Sequence, residues 1–165
     1  MAATPAIAAL ERAGVTHTVH RYEHDPRHDS FGDEAVAALT QSLGVDSEQI
    51  FKTLVIEVSG SLATAVVPVP RRLSLKAAAI ALAGAGIGSG KARMADEKAV
   101  TRATGYVLGG VSPVGQRTAL PTVIDRSALT WSTVLCSAGR RGLEVSLAPA
   151  DLIAVTDAVV GDIAV

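Results

Sequence analysis

Phe51-Lys52-Thr53-Leu54-Val55-Ile56-Glu57-Val58 runs through Ser59-Gly60 into Ser61-Leu62-Ala63-Thr64-Ala65-Val66-Val67-Pro68. Two runs rich in β-branched residues around a Ser-Gly pair predict a β-hairpin, the glycine supplying the positive φ of a tight turn. Side chains alternate across a strand, so Lys52 shares a face with Leu54, Ile56 and Val58, while Phe51, Thr53, Val55 and Glu57 share the other. A lysine that points the same way as three aliphatics has two places to go. At the strand's end its methylenes can cover apolar surface while the ammonium reaches water. Alternatively the ammonium ends in a partly desolvated pocket, where a fixed positive charge holds a carbonyl or phosphate oxygen.

Before the hairpin, Thr4-Pro5 is a helix start and Gly14 a stop, which predicts a helix over Pro5 to Ala13. Thr16 to Glu23 is β-prone, His24-Asp25-Pro26 turns the chain, and a second helix follows Ser30-Phe31-Gly32-Asp33 and ends near Gly44. Asp46 caps a short turn through Gln49. After the hairpin, Pro68 and Pro70 end its second strand because proline cannot donate to a ladder. Leu75 to Leu82 predicts an alanine-rich helix, Gly84 to Gly90 a flexible loop, and Asp96 the cap of a helix to Thr104. Gly105 to Pro113 is a glycine-punctuated loop too apolar for a solvated linker. Thr122 to Asp125, Thr133 to Ser137 and Leu143 to Leu147 predict short strands, and Pro149 to Ala158 a closing helix. Strands clustered and hairpin-linked in this way favour an α+β fold over a doubly wound one.

A length of 165 residues predicts one domain spanning 1–165. Apolar residues make up 48% of the chain and aromatics 3%, so Ala, Val, Leu and Ile must build the core. A formal net charge of −1 excludes a broadly basic surface, and any nucleic-acid contact has to be local or helped by a partner. The single cysteine, Cys136, excludes an internal disulfide and a multi-thiolate metal site and is expected in a buried strand. The opening residues lack a basic leader, and no run approaches the ~18 apolar residues of a membrane span. The expectation is a cytoplasmic protein without membrane contact.

Several motifs fail on inspection. The glycine loop before Lys91 has Ala85 and Ala92 where a phosphate loop needs glycine and Ser/Thr. Gly110-Val111-Ser112-Pro113-Val114 has the outline of a nucleophile elbow, but Pro113 has no amide hydrogen for an oxyanion hole, so Ser112 is a poor nucleophile. What this loop can offer is backbone, because Gly109 and Gly110 allow a ligand close approach; an ordinary tight turn is equally open. Histidines 17, 20, 24 and 28 do not share a helix or strand face, which disfavours a metal. Asp33-Glu34 is expected as a charge pair at a helix N-terminus. Arg71-Arg72 and Arg140-Arg141 are expected in solvent and are the densest positive spots for phosphates.

Taken together, Tyr22 to Pro26, Phe31 to Glu34, Phe51 to Leu54, Met94 to Asp96, Thr104 to Tyr106 with Gly109 to Pro113, Leu120 to Asp125 and Gly139 to Glu144 resemble the bacterial YbaK/EbsC-type aminoacyl-tRNA deacylases. These are free-standing relatives of the editing (INS) domain of bacterial prolyl-tRNA synthetase, and the likeness is collinear from about residue 4 to residue 164. It implies a single α+β domain, a curved, mixed and mostly antiparallel sheet packed with helices. It also implies hydrolysis of mischarged Cys-tRNA(Pro), with the aminoacylated 3′ end of tRNA as substrate and prolyl-tRNA synthetase as a partner, and neither cofactor nor metal. By resemblance Lys52 is the key polar side chain, and Tyr22, Phe31, Thr53, Gly109, Gly110, Ser112, Ser137 and Glu144 fall on the substrate-binding pocket. Close relatives carry aspartate at position 144, so the longer Glu144 alters any pairing with Lys52. Hydrolysis of Ala-tRNA(Pro) or of a broader set of esters, and a non-catalytic module that binds tRNA ends, are the alternatives.

Overall fold

A computed structural model describes residues 3–27 and 30–165. The hairpin forms as expected. Strand β2 (Phe51–Val58) pairs antiparallel with β3 (Ser61–Pro68) from Phe51 opposite Pro68 to Val58 opposite Ser61. Both turn residues, Ser59 and Gly60, have positive φ (52° and 79°), the combination whose twist suits a two-residue hairpin.

Around this hairpin the chain adds helix α1 (Pro5–Arg12), strand β1 (His17–Arg21), helix α2 (Phe31–Leu43), helix α3 (Leu75–Gly84), strand β4 (Ala92–Met94) and helix α4 (Glu97–Thr104). Strands β5 (Thr122–Asp125), β6 (Val134–Arg140) and β7 (Leu143–Leu147), helix α5 (Pro149–Thr156) and strand β8 (Val159–Gly161) complete it. The caps are those the sequence announces: Thr4 accepts from the Ile7 amide, Asp46 from Glu48 and Asp96 from Ala99. Phe31 is the first residue of α2 rather than a residue before it.

The fold is α+β, with mixed pairing that is mostly antiparallel. The strands form two sheets where the sequence reading expects one. A five-stranded sheet runs in the order β4-β2-β3-β5-β8 and a three-stranded sheet in the order β1-β7-β6. Among the described residues, an isolated parallel bridge between Ile50 and Leu135 is the backbone pairing that links them. Phe51, Val55 and Val66 pack with Val145, Leu147 and Leu152 in one core, and Ile56, Val58 and Val67 pack with Leu82 and Ile163 in another. Each face of β2 therefore serves a different core. A third, smaller cluster of Ala35, Leu39, Ile50 and Leu135 fills the junction between the sheets.

Candidate active site

The junction is where β2 begins, and there the packing leaves a cavity of about 290 Å³. Tyr22 enters from the end of β1, Phe31, Gly32 and Ala35 from the first turn of α2, and Ile50 to Leu54 from the start of β2. Val69, Leu108, Gly109 and Val111 close other sides, and Ser137 and Glu144 rise from β6 and β7. Ser137 and Glu144 are paired opposite each other across those strands, so their side chains stand on one face of the sheet.

Lys52 takes the second of its two open placements. It is half-buried, lines the cavity, and its Nζ donates to the Val69 carbonyl at 3.3 Å. Burial lowers its pKa below the ordinary lysine range, and the charge of Asp33, on the first turn of α2, opposes that shift. Thr53 follows on the opposite face of β2, and its hydroxyl oxygen is buried without a hydrogen-bond partner among the described residues. Glu144 is 6% exposed, and burial pushes its carboxyl up to about 8. No ion pair joins it to Lys52 among the described residues. Tyr22 is pushed up to about 12, by burial first and by the Glu144 charge second. The Ser137 hydroxyl is occupied in accepting the Gly139 amide at 3.1 Å.

Two of the expected pocket residues stand elsewhere. Ser112 is fully buried and its hydroxyl accepts the Val114 amide, so it braces its own loop and does not line the cavity. Gly110 is buried against the backbone of Arg140 and Arg141, where an added Cβ would come within 3.0 Å of Arg140 Cα. Of the glycine pair, Gly109 alone reaches the cavity. Gly109 needs to be glycine on two counts: its φ is +87°, and a Cβ would come within 2.6 Å of Phe31 Cδ2.

Two features escaped the sequence reading. Glu34, expected with Asp33 as a charge pair at a helix N-terminus, does stand in the first turn of α2 but is 8% exposed; its carboxylate accepts the Asp25 amide at 2.9 Å and meets His24 Nδ1 at 2.7 Å. It fastens the His24-Asp25-Pro26 turn to α2, beside the cavity wall. A glutamate in the first turn of a helix looks like a dipole charge, and only the His-Asp sequence nine residues earlier could have signalled the tie. Arg141, expected in solvent, lies with Cζ 4.0 Å from the Phe31 ring centroid. The other histidines disperse: His17 Nδ1 meets the Val15 carbonyl, His20 Nε2 meets Ser146 Oγ, and His28 lies outside the described residues.

The cavity joins one half-buried cation, one buried acid and a glycine-bearing backbone segment, an arrangement suited to a small polar ester. The aminoacyl-tRNA editing domain family matches residues 33–155. A protein of Enterococcus faecalis (strain ATCC 700802 / V583) named "Putative Cys-tRNA(Pro)/Cys-tRNA(Cys) deacylase EbsC" is 34% identical over 137 residues, which are 82% of this chain and 79% of that protein. The crystal structure of "a putative trans-editing enzyme for prolyl tRNA synthetase" superposes with a TM-score of 0.79 at 30% identity, covering 96% of this chain and 93% of the other. The crystal structure of a hypothetical protein, APE2540, is similar at a TM-score of 0.79 and 27% identity over 98% of this chain and all (100%) of that one. With the family match running from residue 33 to residue 155 and a relative 34% identical over 82% of the chain, the chain belongs to the aminoacyl-tRNA editing domain family.

Proposed function

We propose that this chain is a trans-editing deacylase that hydrolyses mischarged Cys-tRNA(Pro) in the cytoplasm, residues 1–165 working as one editing domain. The observation that carries the mechanism is the make-up of the cavity: among the described residues, one half-buried ammonium and no assembled nucleophile and base. Among the described residues, no histidine or cysteine lines it. Ser137 and Glu144 face each other, but no hydrogen bond joins them among the described residues, and an acid raised to about 8 is mostly protonated near neutral pH. The attacking group is then best supplied by the substrate.

A cysteinyl ester carries its own nucleophile. The thiol sulfur attacks the ester carbonyl carbon, the carbon–oxygen bond to the ribose breaks, and the thiol proton ends on the departing ribose oxygen. The products are a cyclic thiolactone, which water opens, and free tRNA. Holding thiol and carbonyl in reacting geometry supplies much of the rate, since well-oriented intramolecular reactions reach effective molarities of about 10⁵–10⁸ M. Lys52 and the backbone at Gly109 stand on the cavity wall where they can orient the carbonyl and stabilise its developing charge. Prolyl-tRNA synthetase, or another tRNA-bound protein, is the partner this reading calls for.

The test is a comparison of Cys-, Ser- and Ala-charged tRNA(Pro), with wild-type protein and with Lys52→Ala. Fit to a pocket separates side chains that differ by one methyl or hydroxyl by only about 1–3 kcal/mol, so a thiol-driven reaction is expected to favour Cys beyond that margin. Lys52→Ala is expected to fold normally and to lose about 10²-fold or more in rate, the size of one electrostatic contact to the reacting group. Equal rates on the three esters would replace Cys selectivity with a broad or alanine-directed editing activity. Binding of a nonhydrolysable aminoacyl-adenosine without turnover of any ester would make the chain a binding module.

A further inference from the structure

Arg141 occupies the two-residue turn between β6 and β7. Its Nε and Nη2 donate to the Leu108 carbonyl at 2.9 and 2.7 Å, and its guanidinium lies over the Phe31 ring with Cζ 4.0 Å from the centroid. Gly109 fills the remaining gap: an added Cβ would come within 2.7 Å of Arg141 Nε as well as striking Phe31. Phe31, Leu108 and Gly109 line the cavity, and Arg141 stands behind them. One side chain thus joins three segments distant in sequence: the start of α2, the glycine loop and the β6–β7 turn.

We propose that Arg141 is a positioning residue for deacylation, holding the Phe31 ring and the Leu108–Gly109 backbone together as one wall of the cavity. The inference rests on the deacylase reading above. Val107 and Leu108 are exposed, and the hydrogen bond from the Gly110 amide to the Val107 carbonyl closes only a local turn. Two charge-assisted hydrogen bonds and a stacked cation fix that turn to the rest of the fold. A planar fork makes both bonds at once, which a lysine ammonium cannot reproduce.

The experiment measures kcat and KM for Cys-tRNA(Pro) and amide hydrogen exchange across residues 107–110, in wild type, Arg141→Lys and Arg141→Ala. Misplacing a reacting group by about 1 Å costs on the order of 10²-fold. Arg141→Ala is therefore expected to lower kcat by about 10- to 100-fold, to change KM little, and to accelerate exchange in the loop at an unchanged unfolding midpoint. Arg141→Lys, which keeps a cation over Phe31 but not the fork, is expected to recover part of kcat and serves alone if the alanine variant does not fold. A folded Arg141→Ala protein with wild-type kcat and exchange would overturn the proposal. So would a rise in KM with kcat and exchange unchanged and a weaker salt dependence, since Arg141 would then be binding tRNA phosphate directly. A wild-type chain inert toward every ester overturns the deacylase reading itself, and the exchange comparison, which needs no substrate, still decides whether Arg141 holds the wall.

Discussion

Glu144 brings a carboxyl up from β7 into surroundings that do little to stabilise its charge. The groups that interact with it are the Tyr22 phenol, which burial and then the Glu144 charge raise to about 12, and the Cys136 thiol, which burial and then the same charge also raise. Lys52 lines the same cavity but forms no ion pair with it, and Glu34 is turned to His24 and Asp25. Burial therefore dominates, and the folded-state pKa of about 8 lies above the ordinary glutamate value of 4.5. The sign follows from proton binding: between those two values the folded chain holds a proton that the unfolded chain has released. The stabilising contribution of protonated Glu144 is complete below about pH 4.5, declines as pH rises, and is lost once pH passes about 8. Glu144→Gln is expected to narrow the difference in unfolding midpoint between pH 5 and pH 9, most visibly by raising the midpoint at pH 9. Identical pH dependence in the two proteins would show that Glu144 ionises freely in the fold.

At the scale of elements, how well the sequence announced the fold tracked the length of each segment and the strength of its local signals. The β2–β3 hairpin spans eight residues on each side with its turn residues in place, and β5 and β7 ran to the residues expected. Strands β4 and β8 went unseen because each has only three residues. Ala92-Arg93-Met94 has no β-branched residue, and it is held beside β2 by pairing and by the Arg93–Glu57 ion pair, which are long-range facts. The cavity was legible in part for a similar reason. Lys52 breaks an alternating pattern and so is legible in the sequence, whereas Ser112 lies in a glycine-rich stretch and its side chain is buried against its own loop. That stretch is a packed element in its own right: Tyr106 OH donates to the Val114 carbonyl at 2.7 Å and Gln116 Nε2 to the Ser112 carbonyl at 3.1 Å. Gly115 seats it on the start of α1, with φ +69° and room for no Cβ, which would lie 2.4 Å from the Pro5 carbonyl oxygen. Gly44, just past the end of α2, has nearly the same φ (+68°) and open space around it. Alanine at Gly44 is therefore expected to cost only the left-handed penalty, about 1–2 kcal/mol. Alanine at Gly115 adds a collision with backbone and is expected to cost about 3 kcal/mol or more, in the range of severe packing errors. Denaturant unfolding of the two variants checks this, and equal losses would mean that α1 and the loop separate easily.

At the scale of the whole molecule, an enzyme of this family must meet a polyanion with little charge to spare. Lys and Arg total 15 against 16 Asp and Glu, and several arginines are already committed on the surface: Arg71 to Glu48, Arg93 to Glu57 and Arg126 to Asp162. Arg141 is committed as well, to the Leu108 carbonyl and the Phe31 ring. Sequence-independent affinity for nucleic acid grows with the number of phosphates neutralised, and each contact steepens the fall of affinity with salt. A chain with a formal net charge of −1 is expected to neutralise only about two or three phosphates. Binding to naked tRNA is accordingly expected to be weak at physiological salt, with a dissociation constant of about 10⁻⁶ M or weaker, and with a logarithmic salt slope of only about −2 to −3. On the proposal above that a tRNA-bound partner delivers the substrate, prolyl-tRNA synthetase added at concentrations that hold the tRNA is expected to raise the deacylation rate at low enzyme. Titrations of tRNA(Pro) over a range of salt, with and without the synthetase, measure both effects. Nanomolar, salt-insensitive binding to tRNA alone would place recognition in shape or base contacts made by this chain itself and remove the need for a delivering partner.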